Sequence, residues 1–154
     1  MASSIPGKLL QVKVNGIAFR CQTNATLTGT VNMTENDPCK PSDAEITAGT
    51  TTTWVTRTAN TKDLTLTMSA QAFADALAGS QYDIASIFFG GNVVVQWQFL
   101  SSIAQKEYPL GFLASGTGIL NGFTFNAPEA GSANYDITIS NTGTPTFVTI
   151  PVTT

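Results

Sequence analysis

Histidine is entirely missing from this 154-residue sequence. It is the usual general base and proton shuttle of enzymes and the commonest metal ligand, so its absence excludes Ser-His-Asp and Cys-His catalytic arrangements. The two cysteines are too few for a metal site made of cysteine alone or for a disulfide scaffold. We therefore predict that the protein is not an enzyme, and that it has no catalytic residue, no metal site and no cofactor.

Charged side chains are also scarce. They make up 11% of the chain, less than half of the usual share of about 25%, whereas hydrophobic residues make up 42%. A mean hydropathy of +0.11 argues against disorder, which requires few apolar groups and many charges. Threonine supplies much of the polarity and favours strands, because its side chain is β-branched. This composition is typical of a β-sheet subunit whose surface is largely covered by neighbours.

The sequence has no basic patch. Its net charge is −3, its pI is about 4.6, and its seven cations never form a run. Tight nucleic-acid binding depends on neutralising phosphates, so it is not predicted. The opening residues 1–7 lack the pattern of a signal peptide, and the apolar stretches are too short to span a membrane. Without an export signal, Cys21 and Cys39 are interpreted as reduced thiols, and a bridge between them is the alternative.

Alternation of apolar and polar residues predicts an all-β chain. One α-helix is predicted at Tyr82–Phe89, where apolar residues share a helical face and two glycines follow. The segment Ala70–Ala78 fits either a second short helix or an extended connection. We expect one domain, residues 1–154, folded as an antiparallel β-sandwich or barrel with one short flanking α-helix. The predicted strands are Leu9–Val14, Ile17–Cys21 (joined to the first by an Asn15-Gly16 turn), Thr26–Met33, Trp54–Thr58, Lys62–Ser69, Asn92–Leu100, Leu113–Asn126, Asn134–Ser140 and Thr146–Val152.

Three segments need a closer interpretation. The polar stretch at about residues 35–59 lacks hydrophobic periodicity, and we predict a long loop, an element that is usually functional or used in assembly. The glycine-rich stretch Gly111–Gly118 lacks the lysine and the helix of a phosphate-binding loop, so a bulged or closely approached strand is predicted. Four aromatic residues at strand spacing could stack on sugars or bases, but they are predicted to be core: Trp97, Phe99, Phe123 and Phe125.

The order of several motifs is similar to that of a known family. A strand, turn and strand at Gly7–Ala18 leads into Gln22-Thr23-Asn24-Ala25-Thr26-Leu27. Near the end, a Gly-rich strand precedes Ala127-Pro128, and Tyr135-Asp136-Ile137-Thr138-Ile139-Ser140-Asn141-Thr142-Gly143 follows. Over nearly the whole chain, this order resembles the major tail tube proteins of long-tailed bacteriophages. The segment Pro38-Cys39-Lys40-Pro41 departs from the family pattern, since many relatives have a Lys-Asp-Ser-type turn there.

The resemblance implies a structural subunit of the virion tail. Six copies would form a ring, and stacked rings would form the tube that conducts the genome. The implied partners are further copies of the chain, the tape-measure protein, the tail tip or baseplate proteins and the tail terminator protein. DNA would pass transiently without specific binding, no membrane would be involved, and assembly would take place in the cytoplasm of the host bacterium.

Two sets of residues are candidates for contacts in such a tube. The long loop would touch the next ring, with Glu35, Asp37, Pro38, Lys40, Asp43 and Glu45 as candidates. The lumen would be lined by polar faces of two strands, with Thr28, Thr30, Asp63, Thr65 and Thr67 as candidates. The apolar side chains of the same strands are predicted to pack inward: Leu27, Val31, Leu64, Leu66 and Met68.

Two other functions fit the sequence. A tube protein of a contractile bacteriocin or a secretion system would share the fold and the ring. A carbohydrate-binding β-sandwich could use Trp54 or Trp97 as its stacking platform. Rings or tubes in negative-stain images would favour a tube protein, whereas a stable monomer with glycan affinity would favour the binding module.

Overall fold

The computed structural model describes Gly7 and residues 10–36, 56–75, 77–101 and 110–151. Seven strands form one sheet in the order β2-β1-β5-β6-β7-β4-β3, and the recorded strand pairs are antiparallel. The predicted all-β fold with a short helix is confirmed. The elements are β1 (Leu10–Val14), β2 (Ile17–Ala18), β3 (Gln22–Asn36), β4 (Thr56–Gln71), α1 (Gln81–Phe89), β5 (Val94–Ser101), β6 (Leu110–Asn126) and β7 (Asn134–Pro151).

The chain divides into two compact units. The larger unit contains Met1–Thr28 and Leu64–Thr154, and the smaller unit is Gly29–Asp63. Within the described ranges, no helix is long and apolar enough to cross a bilayer.

The first hairpin follows from its turn residues. Asn15 and Gly16 have φ values of +51° and +80°, as a two-residue turn with two left-handed positions requires. Val14 pairs with Ile17 on either side of this turn, so the predicted hairpin is confirmed. Strand β2 ends at Ala18, three residues short of the predicted Cys21, which is exposed and has a positive φ of 49°.

Several strands are longer than predicted. Strand β4 runs without a break through Ala59–Thr61, where the sequence predicted an interval between two strands. Strand β7 continues through Gly143–Pro145, because a register shift opposite Gly116 accommodates these turn-forming residues as a bulge. The strand bounds also move Glu35 and Thr56 out of the predicted loop, and residues 37–55 lie outside the described residues.

The larger unit is built around one hydrophobic core. Alternate strand residues point into it, and Ile84 of helix α1 packs among them. Strands β1 and β4 lie far apart in the sheet order but supply side chains to the same cluster, so the sheet curls around the core as expected for a sandwich or barrel. The buried hydrophobic strand residues are Val12, Val14, Leu66, Met68, Ala70, Val95, Trp97, Phe99, Ala114, Leu120, Tyr135, Ile137 and Ile139.

The described residues of the connection from β4 to α1 form bends and a turn and no helix, which favours a connection over the second short helix predicted for Ala70–Ala78. The Gln81 side chain accepts a hydrogen bond from the Phe73 amide at 2.9 Å and donates one to the Phe73 carbonyl. The Arg20 guanidinium lies 4.0 Å from the centre of the Phe73 ring and also pairs with Asp75. Its hydrogen bond lowers the pKa of Asp75 below the ordinary value. Phe73 therefore ties the connection to helix α1, and Phe73 and Asp75 tie it to Arg20, which follows β2.

Trp97 explains the glycines of β6. A Cβ atom at Gly116 or at Gly118 would lie 3.1 Å from the Trp97 ring, and the indole Nε1 donates a hydrogen bond to Asn141 Oδ1 at 3.1 Å. The register also shifts between Ser115 and Thr117. The interpretation as a bulged, closely approached strand is confirmed.

We expect Gly118→Ala to destabilise the subunit by about 1–3 kcal/mol, the usual cost of overpacking a core. The new Cβ would lie 2.6 Å from Ile139 Cγ2 and 2.9 Å from the Ser140 carbonyl oxygen. Gly7→Ala is the control, because a Cβ there meets nothing within 4 Å. Urea unfolding of the two variants measures the difference, and equal midpoints would contradict this account of Gly118.

Candidate assembly surfaces

One face of the sheet in the larger unit is polar. The register places Thr67 beside Thr138 and Ser69 beside Asp136, while the residues that alternate with them are core. The Asp136 carboxylate accepts hydrogen bonds from Ser69 Oγ and, at 3.0 Å, from Asn126 Nδ2. We define the polar face as Thr65, Thr67, Ser69, Gln71, Thr124, Asn126, Asn134, Asp136, Thr138 and Ser140.

The polar face carries a single charge, the carboxylate of Asp136. In the described part of the larger unit the cations are Lys13 on β1 and Arg20 after β2, and neither belongs to this face. A polyanion that moved along the face would therefore meet hydroxyl groups, amides and one negative charge per subunit. Such a surface has no cation that would neutralise a phosphate.

The structure separates the five lumen candidates into two groups. Thr65 and Thr67 lie on the polar face, and Thr67 donates a hydrogen bond to the carbonyl of Thr26 at 3.5 Å. Thr28 is exposed on β3 of the same unit, whereas Thr30 and Asp63 are exposed in the smaller unit. The contributions of β6 and β7 to this face were missed, although the alternation of polar with apolar residues in Asn134–Ser140 could have indicated them.

Four of the five predicted inward-facing side chains do lie inward. Leu66 and Met68 are buried, and Leu27 and Leu64 pack against the core. The prediction for Val31 is wrong, since its side chain is 46% exposed. Val31 continues the alternation of Leu27, but β3 extends beyond the core there and enters the smaller unit.

The smaller unit contains the end of β3 and the beginning of β4. Every side chain described in it from residues 29–35 and 56–63 is exposed. Polar pairs link the strands: Glu35 with Arg57 at 2.8 Å, and Asn32 Nδ2 with Thr61 Oγ1 at 2.9 Å. A two-stranded ribbon whose described side chains are all exposed is marginally stable by itself. This unit is therefore a candidate for contact with another molecule.

Of the six inter-ring candidates, the structure describes one. Glu35 lies at the end of β3 and forms its ion pair within the smaller unit. Asp37, Pro38, Lys40, Asp43 and Glu45 lie outside the described residues, as do Trp54 and Cys39.

The far end of β7 is a second exposed surface. Strand β4 accompanies β7 only as far as Ser140, whereas β6 follows it to Pro151. All side chains of Thr142–Thr149, which we call the β7 extension, are exposed and none is charged. Phe147 is 67% exposed and Val148 is 47% exposed. Uncharged, exposed apolar strands are sites where another chain packs or pairs.

Aromatic residues form a third surface beside helix α1. The ring centroids of Phe88 and Phe123 are 6.0 Å apart, and those of Phe89 and Phe123 are 6.4 Å apart. Phe89 is 77% exposed.

The prediction that four aromatic strand residues are core is confirmed for Trp97 and Phe99. It is wrong for Phe125, which is 48% exposed because it lies near the open end of β6.

The described residues offer little chemistry beyond these surfaces. No three of their Cys, Asp or Glu side chains are grouped so as to hold a metal ion. Tyr135 is a buried phenol, and burial, together with the charge of Asp83, raises the pKa of Tyr135 to about 12. It is therefore neutral at physiological pH and belongs to the core.

Comparison with known proteins gives structural likeness alone. Neither a protein-family model nor a curated protein sequence matches the chain. A chain from the tail of an empty gene transfer agent (GTA) particle, solved with C6 symmetry, matches with a TM-score of 0.69 and 14% identity, over 94% of this chain and 99% of that one. A chain from the virion of a native GTA particle gives 0.66 and 14% with the same coverage.

The SPP1 tail tube gives the third comparison. Its subunit matches with a TM-score of 0.63 and 9% identity, over 96% of this chain and 80% of that one. The likeness covers both the sheet and the helix of this chain, since it extends over nearly all of its length. The chain therefore has the fold of phage tail tube proteins, as the order of its sequence motifs predicts.

Proposed function

We propose that this chain is a structural subunit whose copies form six-membered rings, and that the stacked rings form a tail tube through which a genome is delivered. The observation that carries the proposal is the fold shared over 94% of the chain with a GTA tail of C6 symmetry. It agrees with the composition, in which only 11% of residues are charged. A surface so poor in charge suits a subunit that is covered by its neighbours.

We assign the polar face to the lumen. It contains Thr65 and Thr67 from the lumen candidates, and it holds no lysine or arginine. A basic wall would bind each passing phosphate, whereas hydroxyl groups and a carboxylate let DNA slide. Thr28, Thr30 and Asp63 extend this assignment along β3 and β4.

The exposed strands supply the contacts between copies. Strand β3 is an edge of the sheet and carries no charge between Gln22 and Thr34. We assign ring closure to the part of this edge that lies in the larger unit, Gln22–Thr28, and to the β7 extension of the neighbouring copy, because closure removes exposed sheet edges. The smaller unit, with the loop from Glu35 to Glu45, would contact the next ring.

A tube of this kind needs partners at its ends and inside it. We propose the tape-measure protein as the occupant during assembly, a tip or baseplate at one end and a terminator protein at the other. Assembly in the cytoplasm of the host bacterium and a place in the virion tail follow from this role. Of the two platforms considered for carbohydrate binding, Trp97 is 1% exposed and cannot serve, and Trp54 lies outside the described residues.

Purified protein should assemble without any other component. Size-exclusion chromatography should show species larger than a 16.2 kDa monomer. Negative-stain images should show six-fold rings or tubes, because the exposed uncharged strands favour self-association. A stable monomer at every concentration and salt tested would contradict the proposal.

A further inference from the structure

The curled sheet is closed by a side chain at one point. Gln22, the first residue of β3, accepts a hydrogen bond from the Val12 amide at 2.9 Å and donates one to the Val12 carbonyl at 2.9 Å. It also donates to the Phe19 carbonyl at 3.1 Å. Strands β1 and β3 stand near opposite ends of the sheet order, so this one amide joins the two ends.

The geometry of β1 explains why an amide is needed there. Strand β2 pairs with β1 only at Lys13 and Val14, so it does not reach Val12. In an antiparallel ladder, the backbone groups of successive residues turn alternately to the two neighbours, and those of Val12 turn away from β5. A carboxamide has one acceptor and one donor group, which match a backbone N–H and C=O pair.

The two strands do not pair directly at this point. A cavity of about 150 Å³ lies beside Gln22 and is lined by both edges, including Leu10 of β1 and Ala25 of β3. The Val12 side chain is fully buried, so its backbone lies close to the core. Unsatisfied backbone groups in such a place are costly, and an open strand edge also invites pairing with another chain.

We propose that Gln22 is a latch that closes the sheet and shields the β1 edge from pairing with a second copy of the chain. The latch is a property of the single subunit and does not depend on the proposed function. Its consequence for assembly does rest on that function: with β1 shielded, incoming copies meet the outer edge of β3 and the β7 extension.

The test is Gln22→Glu, because a protonated carboxyl has one acceptor and one donor and so reproduces the two hydrogen bonds to Val12, losing only the bond to the Phe19 carbonyl. A carboxylate has no donor and does not reproduce them. The acid form can donate to the Val12 carbonyl, whereas the ionised form can only accept and faces that carbonyl oxygen. The folded-state pKa of the new carboxyl is therefore raised above its unfolded value of about 4.3. The protonated carboxyl therefore contributes its full stabilisation at pH values below the pKa of the unfolded state. This stabilisation is lost as the pH rises through the higher pKa of the folded state.

We expect the folding equilibrium constant of Gln22→Glu, relative to the unmodified protein at each pH, to fall by at least about tenfold between pH 4 and pH 7. Gln22→Met, of similar size but with no donor, should lose stability equally at both pH values. Hydrogen exchange gives a direct measurement: the Val12 amide should be protected in the unmodified protein and exposed in Gln22→Met, while the Lys13 amide on the β5 side stays protected.

These outcomes separate the latch from the tube. A flat pH profile for Gln22→Glu, or Gln22→Met as stable as the unmodified protein, would overturn the latch. Sedimentation at pH 7 should also show larger, irregular species for Gln22→Met. If Gln22→Met forms regular tubes although its Val12 amide is unprotected, the β1 edge needs no shield and that part of the proposal fails. If the unmodified protein stays monomeric while its Val12 amide is protected, the latch stands and only the proposed function is contradicted.

Discussion

Phe147→Asp combined with Val148→Asp is expected to abolish ring formation and leave the subunit folded. Both side chains are exposed, at 67% and 47%, so their replacement leaves the core intact, and the lower strand propensity of aspartate costs about 1 kcal/mol at each position. Phe147 and Val148 are consecutive in β7, so their side chains point to opposite faces of the sheet. A contact between copies on either face would desolvate an unpaired carboxylate, which costs several kcal/mol. A loss of about 2.8 kcal/mol already lowers an association constant 100-fold.

The measurement is sedimentation of the purified variant over a range of concentrations, with unfolding by urea to verify the fold. Phe147→Leu with Val148→Ile is the matched control, because it changes shape but adds no charge. This control should still form rings. Tubes of normal appearance in the aspartate variant would remove the β7 extension from the proposed interface.

The sequence did not predict the β7 extension, because residues at its beginning favour a turn. Asn141, Gly143 and Pro145 are turn formers, and they predict an interval between two strands. The structure instead places Gly143–Pro145 opposite Gly116, and β7 continues through the bulge. A bulge depends on the partner strand, and a single sequence does not reveal which strand is the partner.

Local signals were more reliable where one short pattern determined the backbone. The Asn15-Gly16 pair gave the first hairpin, because these residues tolerate positive φ. Alternation at Leu64, Leu66 and Met68 gave the core face of β4. The same rule failed at Val31, because alternation indicates which side a residue faces but not where the core ends.

To predict the polar face, one needs the register between strands as well as the alternation of residues along each strand. Asp136 meets Ser69 across β4 and β7, and it meets Asn126 across β6 and β7, over separations of 67 and 10 residues. Gln22 is similar, since its partner Val12 lies on a strand at the other end of the sheet order. Contacts of this kind follow from the strand order and the register, so the sequence predicted the fold class but not these side-chain partners.

Thr67→Lys combined with Thr124→Lys should slow the passage of DNA through the tube without preventing assembly. Both side chains are exposed on the polar face and pack against nothing in the core, so the subunit should fold normally. In a six-membered ring the two substitutions add about a dozen cations around the lumen. The Debye length is about 8 Å at physiological ionic strength, so cations on the wall would still attract nearby phosphates.

The measurement is the rate of genome ejection from particles assembled with the variant, at low and at high salt. We expect slower ejection that recovers in part at high salt, since salt weakens each lysine–phosphate attraction. Ala130→Lys with Ser132→Lys is the control: it adds the same charge at exposed positions between β6 and β7 that do not belong to the polar face. Slow ejection in both variants would indicate an effect of net charge, and unchanged ejection in the Thr67 variant would show that β4 and β6 do not line the channel.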